Sequence, residues 1–207
     1  MVTSTKHGRE GREATKRKLI RAVRDLLAAH GFQGLGLNRT ARQAGVDKVL
    51  IYRYFGGLPG LVREFARSED FWPGPADLIG PDQDRIRRMS NGEKLALFFR
   101  RFIRELRRRP LTLDILAWET GGPHELAREL DKARERGALE FFERVGFEPP
   151  EDQDLAAVMA VLSGAVRHLL IRSRRGGTWG GLDLGSDLDW ERIERAVEKL
   201  VLGMVAD

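Results

Sequence analysis

Apolar residues in this chain recur three and four positions apart almost from end to end. That period belongs to α-helices, so an all-helical architecture is the first constraint on the fold. Leu19, Ile20, Val23, Leu26 and Leu27 make one stripe of a helix expected from about Glu13 to His30, and Gly31 supplies its stop. Leu37, Ala41 and Ala44 share a face of a short second helix, and Ile51 and Phe55 share a face of a third beginning at Lys48. Between them Gly45 permits a sharp turn, Val46 plugs the angle, and Asp47 can cap the third helix. Gly56-Gly57 breaks the chain, and Leu58-Pro59 opens a fourth helix carrying Leu61, Val62, Phe65 and Ala66.

From Trp72 to Arg85, Pro73, Pro75, Pro81, Gly74 and Gly80 read as a loop. Ser90 with Glu93 three residues on is a capping box for a helix that ends before Pro110. A short helix holding Leu113, Leu116 and Trp118 follows. Gly121-Gly122-Pro123 then leads into another from about His124 to Val145. Pro149-Pro150 precedes a long apolar helix, about Asp152 to Arg174. A glycine-rich loop, residues 176–188, leads to a last helix from Asp189 with Trp190, Ile193, Val197, Leu200, Val201 and Met204. About nine helices and no strand are expected.

Charge divides the chain unevenly. Residues 1–55 hold 12 lysines and arginines against 4 acids, whereas the remaining residues hold 24 against 27. A cationic block on a mildly acidic body points to a polyanion-binding segment and a second part with another task. The absence of cysteine removes disulfides, thiol nucleophiles and thiolate metal sites together. No run of about 18 uninterrupted apolar residues stands out as a membrane span, and Met1 to Arg12 lacks the apolar core of a secretion signal, so a cytoplasmic protein is expected. His7, His30, His124 and His168 show no metal-ligand spacing and no P-loop is present; catalytic residues, metal and cofactor are all expected to be absent.

A two-helix unit turning at a glycine is how a helix-turn-helix sets its second helix into the DNA major groove. With Ile51 and Phe55 pointing inward, Val49, Leu50 and Arg53 face outward, flanked by Tyr52 and Tyr54. The stretch Ala41-Arg42-Gln43-Ala44-Gly45-Val46-Asp47-Lys48-Val49-Leu50-Ile51-Tyr52-Arg53-Tyr54-Phe55 resembles the DNA-binding signature of the tetracycline-repressor (TetR) family. His30-Gly31-Phe32 upstream and Leu61 downstream fit the same pattern, which covers roughly residues 12–65. The resemblance implies a homodimer on a palindromic operator, released by a small molecule bound in a helical C-terminal domain. It divides the chain into a helix-turn-helix domain, 1–58, and an effector-binding and dimerisation domain, 59–207.

Carried onto this sequence, the resemblance makes Lys48, Val49 and Leu50 candidates to meet base edges. Tyr52, Arg53 and Tyr54 become candidates for backbone or groove contacts, and Asn38 and Arg39 for phosphate. Lysine can donate to guanine acceptors, while valine and leucine offer only apolar contact, for instance to a thymine methyl. Three positions depart from the family pattern: Leu58 stands where a lysine is common, Gly36 at an N-cap often threonine, and Thr40 at a usually aliphatic buried site. Lys6, Arg9 and Arg12 could add contacts from the N-terminal tail.

The helix around Leu155, Val158, Met159, Leu162, Val166, Leu169 and Leu170 is apolar on more than one face, so its burial calls for another subunit as well as its own domain. The helices at about 152–174 and 189–205 are therefore expected to form a two-fold dimer interface. Phe98, Phe102, Trp118, Phe141 and Phe142 could line an effector cavity, with His168 orienting the ligand; ordinary core packing accounts for the same rings. The competing reading is a helical small-molecule-binding or interaction protein that does not bind specific DNA.

Overall fold

The computed structural model describes residues 3–68, 71–120, 125–149 and 154–205, with side chains from Glu10 onward. Among these residues are eleven α-helices and one two-stranded hairpin. The chain divides into two compact units. One comprises residues 1–72 and 114–134, the other residues 73–113 and 135–207.

The first unit begins with α1 (Thr3–His30). Leu19, Val23 and Leu27 of its apolar stripe are fully buried. A 3-10 turn (Phe32–Gly34) follows, then α2 (Leu37–Ala44), α3 (Val49–Phe55) and α4 (Leu58–Ala66). Helix α2 ends because Gly45 adopts the left-handed conformation, φ +65°, that side-chain-bearing residues avoid. The reversed chain lets the Val46 amide donate to Ala41 O, while the Val46 side chain packs on the core. Ala41, Ile51, Leu61, Val62 and Phe65 close that core over α1. Ile115 from the middle of α8 (Pro110–Glu119) and Leu130 from the start of α9 (Ala127–Arg144) complete it. The division between the two units falls inside α8 and α9.

Polar pairs brace this unit as well. Arg63 of α4 donates to Glu129 of α9 at 2.6 Å. Arg134, almost fully buried, pairs with Glu119 and with Asp131 and lies over the rings of Phe71 and Trp72. Trp118 packs its indole against Gly31 and donates through Nε1 to Ala28 O at 3.3 Å.

The second unit holds α5 (Pro75–Ile79), α6 (Gln83–Arg87), α7 (Asn91–Arg107), α10 (Leu155–Ser173), strands Thr178–Trp179 and Leu182–Asp183, and α11 (Asp187–Met204). Helix α7 starts at the expected box: Ser90 Oγ accepts from the Glu93 amide, and Glu93 Oε2 from the Ser90 amide. Leu95, Phe98, Phe99, Phe102, Ile103 and Leu106 of α7 are buried, as are Trp190, Ile193, Val197 and Val201 of α11. Glu194 of α11 joins the two helices by accepting from Nε and Nη2 of Arg104. Helix α10 contributes only Leu162, Val166 and Leu170 to the buried set, and Val161 is 70% exposed.

Several elements differ from the sequence expectation. Helix α1 starts ten residues before Glu13. The proline-rich stretch after Trp72 is not all loop, for it contains α5 and α6, which raises the helix count from nine to eleven. Pro75 sits in the first turn of α5, where its missing amide costs nothing, and Asp77 accepts from the Gly74 amide. The glycine-rich loop contains a hairpin, Thr178 opposite Asp183 and Trp179 opposite Leu182. By length and composition α10 is apolar enough to cross a membrane, although Arg167 and His168 interrupt its apolar run. Gly121-Gly122-Pro123, the helix start at His124, Pro150 and the start at Asp152 lie outside the described residues.

Candidate nucleic-acid interface

The third helix is seven residues long, too short to persist alone, so its neighbours must hold it. Ile51 is fully buried and Phe55 half-buried against the core, an anchor of about 1.5–3 kcal/mol for a fully buried isoleucine. At its start, Asp47 Oδ1 accepts from the Val49 amide at 2.8 Å, supplying the expected cap. Lys48 is already helical in backbone (φ −60°, ψ −25°), and Ile51 donates to its carbonyl, so the ordered rod extends one residue before Val49. At the other end Gly60, in the first turn of α4, lies so close to α3 that a Cβ there would run into the Phe55 carbonyl oxygen. Glycine is what allows the two helices to meet at this angle.

With one face fixed, the other is presented to solvent. Val49 is 59% and Tyr52 55% exposed; Lys48 and Arg53 are exposed, and Leu50 and Tyr54 half-buried. An exposed valine and tyrosine beside two cations make a poor solvent face but a good match for a groove with thymine methyls and an anionic rim. Asn38 and Arg39 are exposed at the start of α2, where Arg39 donates to Gly34 O at 3.3 Å. Leu58 packs on the core rather than projecting as a lysine there would. Thr40 is fully buried, and its hydroxyl has no hydrogen-bond partner. The structure adds one neighbour that helix patterning did not place: the Arg12 guanidinium of α1 lies 5.3 Å from the centre of the Tyr54 ring.

The residues suggested for an effector divide into three groups. Phe98, Phe102, Phe141 and Phe142 come together in the second unit. Phe98 stacks on Phe102 at 5.6 Å and meets Phe141 and Phe142 at 5.2 and 5.0 Å. Phe147, not foreseen, continues the cluster from Phe142 at 4.9 Å. Trp118 belongs instead to the first unit, against Gly31. His168 is exposed on α10, edge-on to Trp179 of the hairpin at 5.1 Å. A cleft of about 570 Å³ lies elsewhere in the second unit. It is bounded by Arg104, Arg107 and Arg108 of α7 and Asp187, Trp190, Glu191 and Glu194 of α11, an ionic lining rather than an aromatic one. No cluster of potential metal ligands occurs among the described residues.

Residues 19–65 match the family model for bacterial regulatory proteins, tetR family. No curated protein matches the chain in sequence. Similar solved structures include the fatty acid degradation regulator FadR from Bacillus halodurans, at 17% identity and TM-score 0.60 over 92% of this chain and 99% of that one. FadR from Bacillus subtilis, solved in complex with stearoyl-CoA, gives 17% identity and TM-score 0.61 over the same shares. A TetR transcriptional regulator from Rhodococcus sp. RHA1 gives 19% identity and TM-score 0.56 over 96% of this chain and all of that one. Residues 19–65 thus carry the pattern of the tetR family model, and over 92–96% of its length the chain shares the helical fold of solved TetR-family regulators.

Proposed function

We propose that the chain is a cytoplasmic, ligand-responsive transcriptional repressor with no catalytic activity, binding a palindromic operator as a homodimer through α3. The observation that carries this reading is the two-sidedness of α3: Ile51 sealed in the core, Val49 and Tyr52 more than half exposed between Lys48 and Arg53. Lys48, Val49 and Leu50 meet base edges; Tyr52, Arg53, Tyr54, Asn38 and Arg39 hold the backbone. Residues 1–58 serve DNA, and residues 59–207 serve the effector and the dimer.

Dimerisation through the helices at about 152–174 and 189–205 accounts for α10, which is long, apolar and mostly uncovered in the single chain. Leu200, Leu202 and Met204 of α11 are exposed too. A two-fold axis between such faces buries both and sets two copies of α3 on one duplex, where half-sites one helical turn apart need them about 34 Å apart.

The effector is an amphipathic acyl thioester, received where Phe98, Phe102, Phe141 and Phe142 cluster. This rests on the aromatic cluster and on the likeness in fold to a regulator solved with stearoyl-CoA.

Fluorescence anisotropy with a labelled duplex of about four helical turns from the intergenic DNA beside the gene tests the reading. Specific binding should weaken steeply with salt, with a log–log slope of about −0.9 per neutralised phosphate. Lys48→Ala should cost about 1–3 kcal/mol. Unchanged affinity in that variant removes Lys48 from the site. Absence of specific binding at every salt concentration favours the competing reading, a helical ligand-binding or interaction protein.

A further inference from the structure

The carboxy-terminal end of α10 carries a second cationic cluster. Residues 155–182 contain no aspartate or glutamate, yet Arg167, His168, Arg172, Arg174 and Arg175 fall within nine positions. The apolar stretch available to a dimer, residues 155–166, ends where these cations begin. The hairpin stands beside this end. Its turn, Gly180-Gly181, has φ +58° and +80°, the mirror-image turn that suits a two-residue loop. Two such short strands do not hold alone, and α11 anchors them. The Asp183 amide donates to Asp189 Oδ2 at 2.9 Å, and Leu184 O accepts from the Trp190 indole. Cross-strand partners share a side and neighbours along a strand alternate, so Trp179 and Leu182 lie on one side, Thr178 and Asp183 on the other. The Trp179 side meets α10. There the Arg172 guanidinium lies over the indole, 4.5 Å from its centre, and His168, one turn earlier, meets it edge-on at 5.1 Å. Asp183, on the other side, accepts from the Gly185 amide. Arg172 and Arg175 are exposed and, among the described residues, neither has a carboxylate partner; Trp179 is 46% exposed.

We propose that Arg172, Arg175 and Trp179 form a binding site for a nucleotide, in which the indole stacks on the base and the two guanidinium groups hold the phosphates. His168 acts as a positioning residue, bracing the edge of the indole. An anchored tryptophan left half open beside two cations fits a ligand that is flat at one end and anionic at the other. The indole supplies a stacking surface that tolerates any base. Each guanidinium offers forked donors that match phosphate oxygens. The partial negative charge of the α10 C-terminus opposes an anion, but two full positive charges outweigh it. A site for bare phosphate or an acidic peptide would use the arginines and not the indole. Two sources carry the required chemistry: a free nucleotide, and the nucleotide head of a coenzyme A thioester, the effector class proposed above. The inference goes beyond that function, because nucleotide binding here requires neither DNA nor an acyl pocket.

The test is isothermal titration calorimetry of the full chain with ADP, adenosine, ribose 5-phosphate and coenzyme A. ADP should bind, and adenosine and ribose 5-phosphate, each lacking one half of the ligand, should bind about tenfold more weakly or worse. Arg172→Ala/Arg175→Ala should weaken ADP about tenfold or more. Trp179→Leu should weaken it about fivefold or more, whereas Trp179→Phe, which keeps a ring on the hairpin, should stay within about threefold of wild type. Arg85→Ala/Arg88→Ala removes the same charge from exposed positions of the same unit and should leave ADP binding unchanged. Coenzyme A binding more tightly than ADP identifies the thioester head as the source; equal or weaker binding identifies a free nucleotide. Absence of binding by both, even at millimolar ligand, overturns the site. So does ADP affinity that either the Arg172/Arg175 variant or Trp179→Leu leaves unchanged. An equal fall in the Arg85/Arg88 control overturns it too, by reducing the effect to net charge. A chain that binds ADP at this site but no specific duplex overturns the DNA-binding reading alone.

Discussion

Replacing Thr40 by valine should make the protein more stable. Thr40 sits on α2 with its side chain fully buried, and its hydroxyl finds no partner. A helical threonine usually returns its hydroxyl to the carbonyl four residues back. Here that carbonyl, Gly36 O, accepts from the Thr40 amide at 2.8 Å and from no hydroxyl. A buried hydroxyl with nothing to bond costs about 1–3 kcal/mol. Valine keeps the branched outline and the χ1 preference, and exchanges that hydroxyl for a methyl worth burying. A gain of about 1.5 kcal/mol is expected, which for a chain of this length raises the thermal midpoint by about 3–6 °C. The companion Thr40→Ser keeps the hydroxyl and drops the methyl, so it should lose about 1 kcal/mol. Melting followed by circular dichroism reads both, and the DNA titration should be indifferent to valine because residue 40 faces the core. A midpoint that falls or stays still in Thr40→Val means the hydroxyl is satisfied, and refutes the argument.

Other outcomes follow from the same geometry. Asp47→Ala removes the cap on α3 and should cost about 1 kcal/mol in urea denaturation, with a parallel drop in DNA affinity because the reading helix frays from its first turn. Gly60→Ala forces a methyl onto the Phe55 carbonyl; a destabilisation of about 3 kcal/mol in the same assay is expected, and a neutral result would mean that α4 can slide away from α3 freely. Arg63 holds the Glu129 carboxylate below its ordinary value near 4.5 by a direct hydrogen bond. A lowered folded value means that this contribution is complete above about pH 4.5 and fades as pH falls through the folded value. The stability gap between wild type and Glu129→Gln should therefore be constant from about pH 5 to 8 and narrow towards about pH 3; a gap that widens in acid contradicts the pairing.

How much was legible in the sequence depended on what signal each element carries. Gly45, Val46 and Asp47 specify their turn by chemistry local to three residues, and each plays the role its side chain suggests. Phe98, Phe102, Phe141 and Phe142 were legible as a group because aromatic side chains at helical spacing seek one another. Trp118 was not separable from them, since spacing says which face a residue occupies and not which neighbour that face will meet. The first ten residues of α1 have no apolar stripe, so periodicity had nothing to detect and only helix-forming side chains pointed the other way. Helices α5 and α6 span five residues each, less than the window in which a 3.6-residue period can be seen. The close approach at Gly60 depends on a backbone atom of another helix and leaves no trace in residue pattern.

The four tryptophans give the molecule its own optical reporters, two in each compact unit. Trp72 lies beneath the Arg134 guanidinium and Trp118 against Gly31. Trp190 is sealed, with its indole N–H on Leu184 O at 2.9 Å, and Trp179 stands 46% exposed under Arg172. Intrinsic emission from single-indole variants can thus follow events in the first unit separately from those in the second, without dyes. A chain that lacks native thiols also accepts any spin label at one engineered position alone.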